Sequence, residues 1–251
     1  MADEVLVERR GKVVLLTLNR PERRNAINVA LSQAFCDAVA AAQDAGCIVV
    51  TGSDPAFCAG LDLKNLGTEK LSGLPSYASA LRKSAVPLIA AVNGAAVTGG
   101  FEIALGCDFI VASERAVFAD THVRVGVYPG PVLVDLPRRI GMAWAREMSM
   151  TGNFVDAATA QRIGLANHVK PHAELVPFAL SLADAICDAD PKMIRAMRAD
   201  WDANVGTPVN DAHRIHGEHA VAGGFTQSTG AGIADRRETV LARSRNQRGV
   251  G

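Results

Sequence analysis

Apolar and polar residues alternate with the period of β-strands along the first part of the chain. Residues 5–8 and 12–18 show this alternation on either side of Arg10-Gly11, which predicts an antiparallel hairpin. A helical period begins at about Asn28, a suitable N-cap, and extends to Gln43. Residues 47–51 (CIVVT) then form a short β-branched run, which predicts a buried strand followed by a glycine-rich loop at residues 52–60.

The same order of elements is repeated further along. A polar helical segment ends near Lys83, an apolar strand is expected at residues 88–92, and a second glycine-rich loop leads to a helix at about residues 99–105. Another strand is predicted at residues 108–112. Strands that alternate with helices indicate an α/β fold with a mostly parallel sheet, in which functional residues collect at the carboxyl ends of the strands.

The last part of the chain shows only helical patterns. After about Asp190, helices are predicted at residues 193–201, around residues 213–221 and at residues 236–245. We expect a helical extension of the core and not an independent fold, because the segment carries no strand of its own.

Composition and charge exclude several classes of protein. The 251 residues suit one domain, and 26 basic residues balance 26 acidic ones, which argues against a non-specific nucleic-acid binder. No apolar run approaches the roughly 20 residues that span a bilayer. The first ten residues, MADEVLVERR, lack the features of a signal peptide, so a cytoplasmic location is expected. The five cysteines contain no CxxC pair, and we expect neither disulfides nor a zinc site.

Two glycine-rich loops stand out as places for chemistry. They have the sequences PAFCAGLDL (residues 55–63) and NGAAVTGGFE (residues 93–102), and each follows a buried strand. Glycine permits sharp turns and the close approach of a ligand to the backbone, and the second loop opens a helix, whose first amides are unpaired. Neither loop contains the residues of a phosphate-binding P-loop or a GxGxxG motif. Taken singly, each loop is better explained as an ordinary strand-to-helix turn, because glycine is common at turns.

Taken together, the motifs resemble those of one family. AFCAGLDL is similar to the first oxyanion-loop motif of the crotonase (enoyl-CoA hydratase/isomerase) superfamily, and PLIAAVNGAAVTGGFEIALGCDFIVAS is similar to the second. NRPERRNAIN, TGSDPAFCAG and MTGNFVDAATAQRIGLANHV add to the resemblance, which covers about residues 5–190.

The resemblance implies a fold and a site. The core, residues 1–190, would be a spiral of repeated ββα units that holds an acyl-CoA, and residues 191–251 would form a helical region that assembles trimers or dimers of trimers. The backbone N–H groups of Leu61 and Gly99 would form an oxyanion hole for the thioester carbonyl. The neighbouring residues expected to contact the substrate are Ala59, Gly60, Asp62 and Gly100.

The acid–base pair of the family is only half present. Hydratases of the family use two glutamates, the first of which matches Glu102, a carboxylate among apolar neighbours. The second is expected 20 residues later, where this chain has His122. Histidine can donate or accept a proton near neutral pH, so His122 is a candidate catalytic residue, although it could equally fill the wall of the pocket. Asp120, two residues earlier on a predicted strand, would point to the same side and could orient it.

Histidine at this position also suggests a second chemistry. Crotonase-fold hydrolases that cleave β-diketones by a retro-Claisen reaction have this histidine, together with an aspartate nine residues later, where this chain has Pro131 and the nearest aspartate is Asp135. Dienoyl-CoA isomerases have an aspartate at the position of Gly130, so we set that activity aside.

Other polar residues are weaker candidates. Arg23, Arg24 and Lys64 lie where relatives bind the CoA nucleotide, although a solvated basic turn would look the same. Cys58 has no basic partner and is expected to be a packed thiol. A metal site is not favoured in the C-terminal region, because its three regularly spaced histidines do not share one helical face: they are His213, His216 and His219.

These observations predict an enoyl-CoA hydratase that acts in fatty-acid or related acyl-CoA catabolism. Glu102 would be the principal acid–base residue, assisted by His122. The chemistry needs no metal or redox cofactor, since CoA is part of the substrate. A retro-Claisen hydrolase and a catalytically silent acyl-CoA binder remain as alternatives.

Overall fold

The computed structural model describes residues 3–62 and 75–224. The chain divides into two compact units, with the boundary between Arg195 and Ala196, and each unit is described by itself. Lys64 and the helix predicted at residues 236–245 lie outside the described residues.

Ten strands lie in the described part of the first unit. They are β1 (Val5–Arg10), β2 (Val13–Leu18), β3 (Cys47–Gly52), β4 (Ala56–Cys58), β5 (Leu88–Val92), β6 (Ala95–Val97), β7 (Phe109–Ser113), β8 (Val117–Ala119), β9 (Val155–Asp156) and β10 (His168–Lys170).

Ten helices accompany them in the part of the chain that the structure describes. They are α1 (Val29–Ala41), α2 (Tyr77–Lys83), α3 (Gly99–Leu105), α4 (His122–Val125), α5 (Val132–Ile140), α6 (Met142–Thr151), α7 (Ala157–Arg162), α8 (Leu175–Cys187), α9 (Pro191–Asn204) and α10 (Val209–Gly223). Within residues 3–62 and 75–224, no helix has both the length and the apolar character needed to cross a membrane.

The larger sheet has six strands in the order β1-β2-β3-β5-β7-β10. The predicted hairpin is confirmed, because β1 and β2 pair antiparallel with Val5 opposite Leu18 and Arg10 opposite Val13. The strands from β2 to β10 are parallel. The helix predicted from Asn28 is also confirmed, since the Asn28 side chain accepts a hydrogen bond from the Leu31 amide at the start of α1.

A second sheet explains the spiral. Its order is β4-β6-β8-β9, with β4, β6 and β8 parallel and β9 antiparallel. Three times, a strand of the large sheet is followed by a strand of the small sheet and then by a helix: β3-β4-α2, β5-β6-α3 and β7-β8-α4. The predicted α/β fold of repeated ββα units is therefore confirmed. The sequence interpretation missed β4 and β6, which lie inside the segments that we predicted as loops.

The central strands of the large sheet, such as β3 and β5, are buried on both faces. Alternate residues of β3, such as Ile48 and Val50, contribute to the main core, whereas Cys47 and Val49 face the second core, to which α8 contributes Ala179 and Ala183. The five cysteines are free; Cys47, Cys58 and Cys107 are buried, and Cys36 and Cys187 are half-buried. Burial on both sides holds the carboxyl ends of the strands at a common edge, from which the glycine-rich loops emerge.

Candidate functional site

The two glycine-rich loops lie side by side because β4 and β6 pair with each other. Ala56 is opposite Ala95 and Cys58 is opposite Ala96. Beyond the strands, a Cβ atom on Gly60 would collide with the Thr98 hydroxyl, and one on Gly100 would collide with the Cys58 carbonyl oxygen. The two glycines therefore allow the loops to pack directly against one another.

Ile27 joins the two loops. Its amide donates to the Gly60 carbonyl at 2.7 Å, and its carbonyl accepts from the Asp62 amide at 2.9 Å. This bridge uses the residues on either side of Leu61 and makes no use of the Leu61 N–H. The Cδ1 atom of Ile27 lies 3.1 Å from the position that a Cβ on Gly99 would take. Leu61 and Gly99 thus occupy adjacent loops, and Gly99 is the first residue of α3, where amides lack an intrahelical partner.

Thr98 holds the second loop in a conformation that favours glycine. Its backbone angles are φ 46° and ψ −115°, and its amide donates to the Ala119 carbonyl at 3.0 Å. A threonine in this region is strained by roughly 1–3 kcal/mol and persists only where the surrounding structure enforces it. The enforcing contacts are the hydrogen bond to β8 and the packing against Gly60.

The charged segment before α1 is anchored to the first loop by residues that the sequence interpretation did not single out. The buried Asn25 amide donates to the carbonyl oxygens of Ala56 and Phe57, at 2.7 and 3.2 Å. Arg20 forms ion pairs with Glu4 and with Asp62. Asp62, which we expected to contact the substrate, is therefore engaged in the protein itself. Both Arg20 and Asn25 belong to the NRPERRNAIN motif, which marked the segment in the sequence. The motif does not reveal which of its polar side chains point into the protein.

The predicted CoA-binding residues occupy different surroundings. Arg23 and Arg24 are exposed in and directly after a 3-10 turn at Pro21–Arg23, where their guanidinium groups are accessible. The amide of Ala59 donates to the Arg24 carbonyl at 3.0 Å, which brings the basic turn beside the first loop. Gly100 is fully enclosed against Cys58, so its small size serves the packing of α3.

Glu102 is buried, with only 4% of its surface exposed. Its Oε2 accepts a hydrogen bond from the Tyr77 hydroxyl at 2.7 Å, and its Oε1 accepts a longer one, at 3.4 Å, from the Val132 amide. Oε1 also faces Gly130, where a Cβ would lie 3.0 Å away. Tyr77 was missed in the sequence because it lies 25 residues before Glu102, and only the packing of α2 against α3 brings the two together.

His122 and Asp120 form a close pair. The Nδ1 atom of His122 lies 2.6 Å from Oδ1 of Asp120, and both side chains are buried. The predicted contact is present, but its predicted local structure is wrong: Asp120 follows β8, and His122 begins the short helix α4. The two side chains are brought together by the turn after β8 and not by the alternation of side chains along a strand.

A cavity of about 60 Å³ lies beside these residues. His122 lines it together with residues of both glycine-rich loops. The complete lining is Ala59, Leu61, Thr98, Thr121, His122, Val125 and Val127. The cavity is thus bordered both by the two glycine-rich loops and by the imidazole of His122.

Known proteins share this arrangement of sequence and fold. The model of the family described as enoyl-CoA hydratase/isomerase matches residues 8–234. The chain belongs to the enoyl-CoA hydratase/isomerase family. It is 37% identical over 227 residues to the enoyl-CoA hydratase EchA19 of Mycobacterium tuberculosis, which covers 84% of this chain and 85% of that protein.

Two further relatives illustrate the range of the family. The 2,3-dehydroadipyl-CoA hydratase of Escherichia coli is 37% identical over 204 residues, covering 78% of this chain and 80% of that one. A crystal structure of an enoyl-CoA hydratase subunit I from Geobacillus kaustophilus has a TM-score of 0.86 at 29% identity, covering 94% of this chain and 95% of its own. The similarity to this crystal structure shows that the chain has the crotonase fold. The hydratases of the family are hydro-lyases.

Electrostatics in this family member favour an ion pair between His122 and Asp120. Burial alone lowers the pKa of His122, but the hydrogen bond and charge of Asp120, with the charge of Glu102, raise it above its usual value overall. Burial alone raises the pKa of Asp120, but hydrogen bonds from His122 and Ser149 make the net shift downward. The imidazole therefore holds its proton more firmly than a free histidine does.

Other groups that resemble catalytic sites do not fit that role. Ser113, His172 and Asp54 form a hydrogen-bonded chain, with Ser113 Oγ 3.2 Å from Nδ1 and Asp54 Oδ2 3.0 Å from Nε2, but Ser113 is fully buried and cannot meet a substrate. Burial raises the pKa of the Cys58 thiol to about 12, as expected for a packed cysteine.

The C-terminal histidines are held by a carboxylate. In the second unit, His216 and His219 each place Nδ1 within 2.9 Å of an Asp200 oxygen. Among the residues that the structure describes, no set of three or more potential ligands is arranged to hold a metal ion.

Replacing Thr98 with glycine should stabilise the protein. Relief of the backbone strain outweighs the greater flexibility of glycine in the unfolded chain, so we expect the free energy of unfolding in urea to rise by about 1 kcal/mol. Thr121→Gly is the matched control, because Thr121 lines the same cavity with an ordinary φ of −93°. A loss of stability in both variants would contradict the strain assigned to Thr98.

The His122–Asp120 pair should make stability depend on pH. Because the folded-state pKa of His122 is raised, its contribution is complete below the ordinary histidine value of about 6.5 and is lost as the pH rises through the raised value. The free energy of unfolding of the parent should therefore exceed that of Asp120→Asn by more at about pH 6 than at about pH 9. Asp156→Asn is the control, because Asp156 caps α7 through the Thr159 amide and needs no histidine. A deficit of Asp120→Asn that does not vary with pH would count against the ion pair.

Proposed function

We propose that this chain adds water to the double bond of a trans-2-enoyl-CoA, in fatty-acid or related acyl-CoA catabolism. The observation that carries the proposal is the buried carboxylate of Glu102. Its negative charge helps to raise the pKa of His122, which lines the cavity beside the two glycine-rich loops. Membership of the enoyl-CoA hydratase/isomerase family supports it.

In this proposal, the N–H groups of Leu61 and Gly99 bind the thioester carbonyl oxygen. That oxygen gains negative charge as an enolate forms, and two fixed donors stabilise the charge where it develops. The adjacency of the two loops and the position of Gly99 at the start of α3 support this role. Loss of one such donor typically costs about 3 kcal/mol of transition-state stabilisation.

Glu102 and His122 divide the two proton transfers. Glu102 removes a proton from water, whose oxygen forms the bond to Cβ while the π electrons move toward the thioester carbonyl. The His122 imidazolium then gives a proton to Cα, and the proton on Glu102 returns to His122 through solvent. The raised pKa of His122 supports its part as the acid. No metal or redox cofactor enters this sequence.

The CoA part of the substrate is proposed to lie along the first loop. Arg23 and Arg24 are exposed cations suited to its phosphates. The backbone of Ala59 and Gly60 would contact the pantetheine arm near the thioester. Lys64 keeps its proposed role at the nucleotide end.

A retro-Claisen hydrolase is a second candidate because of one observation. Asp120 supplies His122 with a carboxylate at 2.6 Å, although the position nine residues after His122 is Pro131. A histidine–aspartate pair could activate water to attack a ketone carbonyl, with the enolate of the cleaved fragment as leaving group.

One assay separates the candidates. Purified protein is incubated with crotonyl-CoA, with a longer enoyl-CoA and with a cyclic β-diketone. Loss of enoyl absorbance supports the hydratase, and release of a carboxylic acid from the diketone supports the hydrolase. Tight binding of the CoA thioesters without turnover would show a silent binder, and the proposed function would then be wrong. Glu102→Gln should abolish hydration and serves as the check for contaminating hydratase.

Substitutions at His122 test its share in catalysis. His122→Ala should lower turnover by about two to four orders of magnitude, the usual scale for a general acid or base, with a much smaller effect on binding. His122→Glu, which restores the residue usual in hydratases of the family, should preserve or raise activity. Hydration by His122→Ala at the parent rate would assign His122 to the wall of the cavity.

We also propose that the chain assembles as a trimer or a dimer of trimers. Large apolar side chains are exposed in the first unit, including Met150 at 70% and Phe154 at 58%, and in the second unit, including Trp201 at 64%. Light scattering should therefore report about three or six times the 26.3 kDa of one chain. A stable monomer at micromolar concentration would contradict this assembly.

A further inference from the structure

Tyr77 makes a contact that neither the motifs nor the proposed reaction assigns. Its hydroxyl donates to Oε2 of Glu102 at 2.7 Å. The Tyr77 hydroxyl oxygen also lies 2.9 Å from the position that a Cβ on Gly99 would take, so the phenol lies against the first residue of α3. A side chain larger than hydrogen at residue 99 would push the phenol away from Glu102.

The two carboxylate oxygens of Glu102 have different hydrogen-bond partners. Among the described residues, Oε2 receives the short hydrogen bond from Tyr77, whereas Oε1 receives the 3.4 Å contact from the Val132 amide and lies close to Gly130, which has no side chain to cover it. We infer that Tyr77 is a positioning residue, which anchors Oε2 and leaves Oε1 as the oxygen that exchanges protons with water. The inference rests on the proposed role of Glu102 in hydration.

The chemistry of Tyr77 suits a permanent donor. Burial raises the pKa of its phenol well above the usual range, and the charge of Glu102 and the hydrogen bond to it add to the shift. The phenol therefore keeps its proton at every pH at which the enzyme works. Among the described residues, the charge of Glu102 also acts on His122, which lines the cavity.

Tyr77→Phe removes the donor and keeps the ring. Without the donor, Oε2 is no longer fixed and the direction in which Glu102 presents Oε1 is lost. At neutral pH, kcat should fall about tenfold, while KM changes little, because the phenol contacts the carboxylate and not the CoA. Ser76→Ala is the matched control: it weakens the N-cap of α2, where Ser76 accepts from the Ser79 amide at 3.1 Å, but keeps the phenol. If Ser76→Ala lowers kcat equally, the effect comes from loosening α2, and the inference is overturned.

A second readout is independent of activity. The chain has two tyrosines, Tyr77 and Tyr128, so protein labelled with ¹³C at tyrosine Cζ gives two NMR signals, which Tyr77→Phe assigns. The Tyr77 signal should be displaced in Glu102→Gln, which replaces the carboxylate that accepts its hydrogen bond, and should keep its position in His122→Gln. The signal of Tyr128, which is 86% exposed, should be unaffected by either substitution.

The two readouts separate the possible failures. A Tyr77 signal that ignores Glu102→Gln overturns the inference even if the parent hydrates enoyl-CoA, and the proposed function then stands. The opposite result is that the parent protein has no hydratase activity although its Tyr77 signal still responds to Glu102→Gln. The proposed function and the catalytic purpose of the contact would then be refuted, and only the contact itself would remain.

Discussion

The site depends on the direct contact between two loops, each of which contributes a glycine where they meet. Gly60 packs on Thr98 and Gly100 packs on Cys58, and a single methyl group at either glycine would force the backbones apart. The strands β4 and β6 are only three residues long. Their hydrogen bonds alone could not keep the two loops in contact if a methyl group pushed the backbones apart. Close packing at these two glycines therefore helps to determine how the loops that carry Leu61 and Gly99 lie against each other.

The larger elements of the fold could be predicted because each carries its own periodic pattern. The hairpin, α1, β3, β5 and α3 were predicted within one or two residues. The strands β4 and β6 were not, because three-residue strands flanked by glycine, proline and asparagine have the composition of turns. Their pairing comes from the spiral, which brings consecutive ββα units into register.

The candidate site was predicted where motifs carry it and was missed where distant residues meet. Glu102, His122 and the two loops follow from local sequence patterns. Tyr77, Asn25 and Arg20 do not, because their partners Glu102, Ala56 and Asp62 lie 25 to 42 residues away and are brought close by the packing of the chain. The Asp120–His122 contact shows an intermediate case: the partner was right, but a turn and a helix start supply the geometry that we had ascribed to a strand.

Arg20 connects the residue just before β1 to the first glycine-rich loop. One guanidinium group reaches Glu4, just before β1, and also Asp62, directly after Leu61. The ordering of the first loop is thus connected to residues that are often altered when a protein is prepared for study. An affinity tag fused close to Glu4, or removal of the residues before β1, would release one end of this ion pair, so a weakly active preparation could reflect its N-terminus and not its catalytic residues.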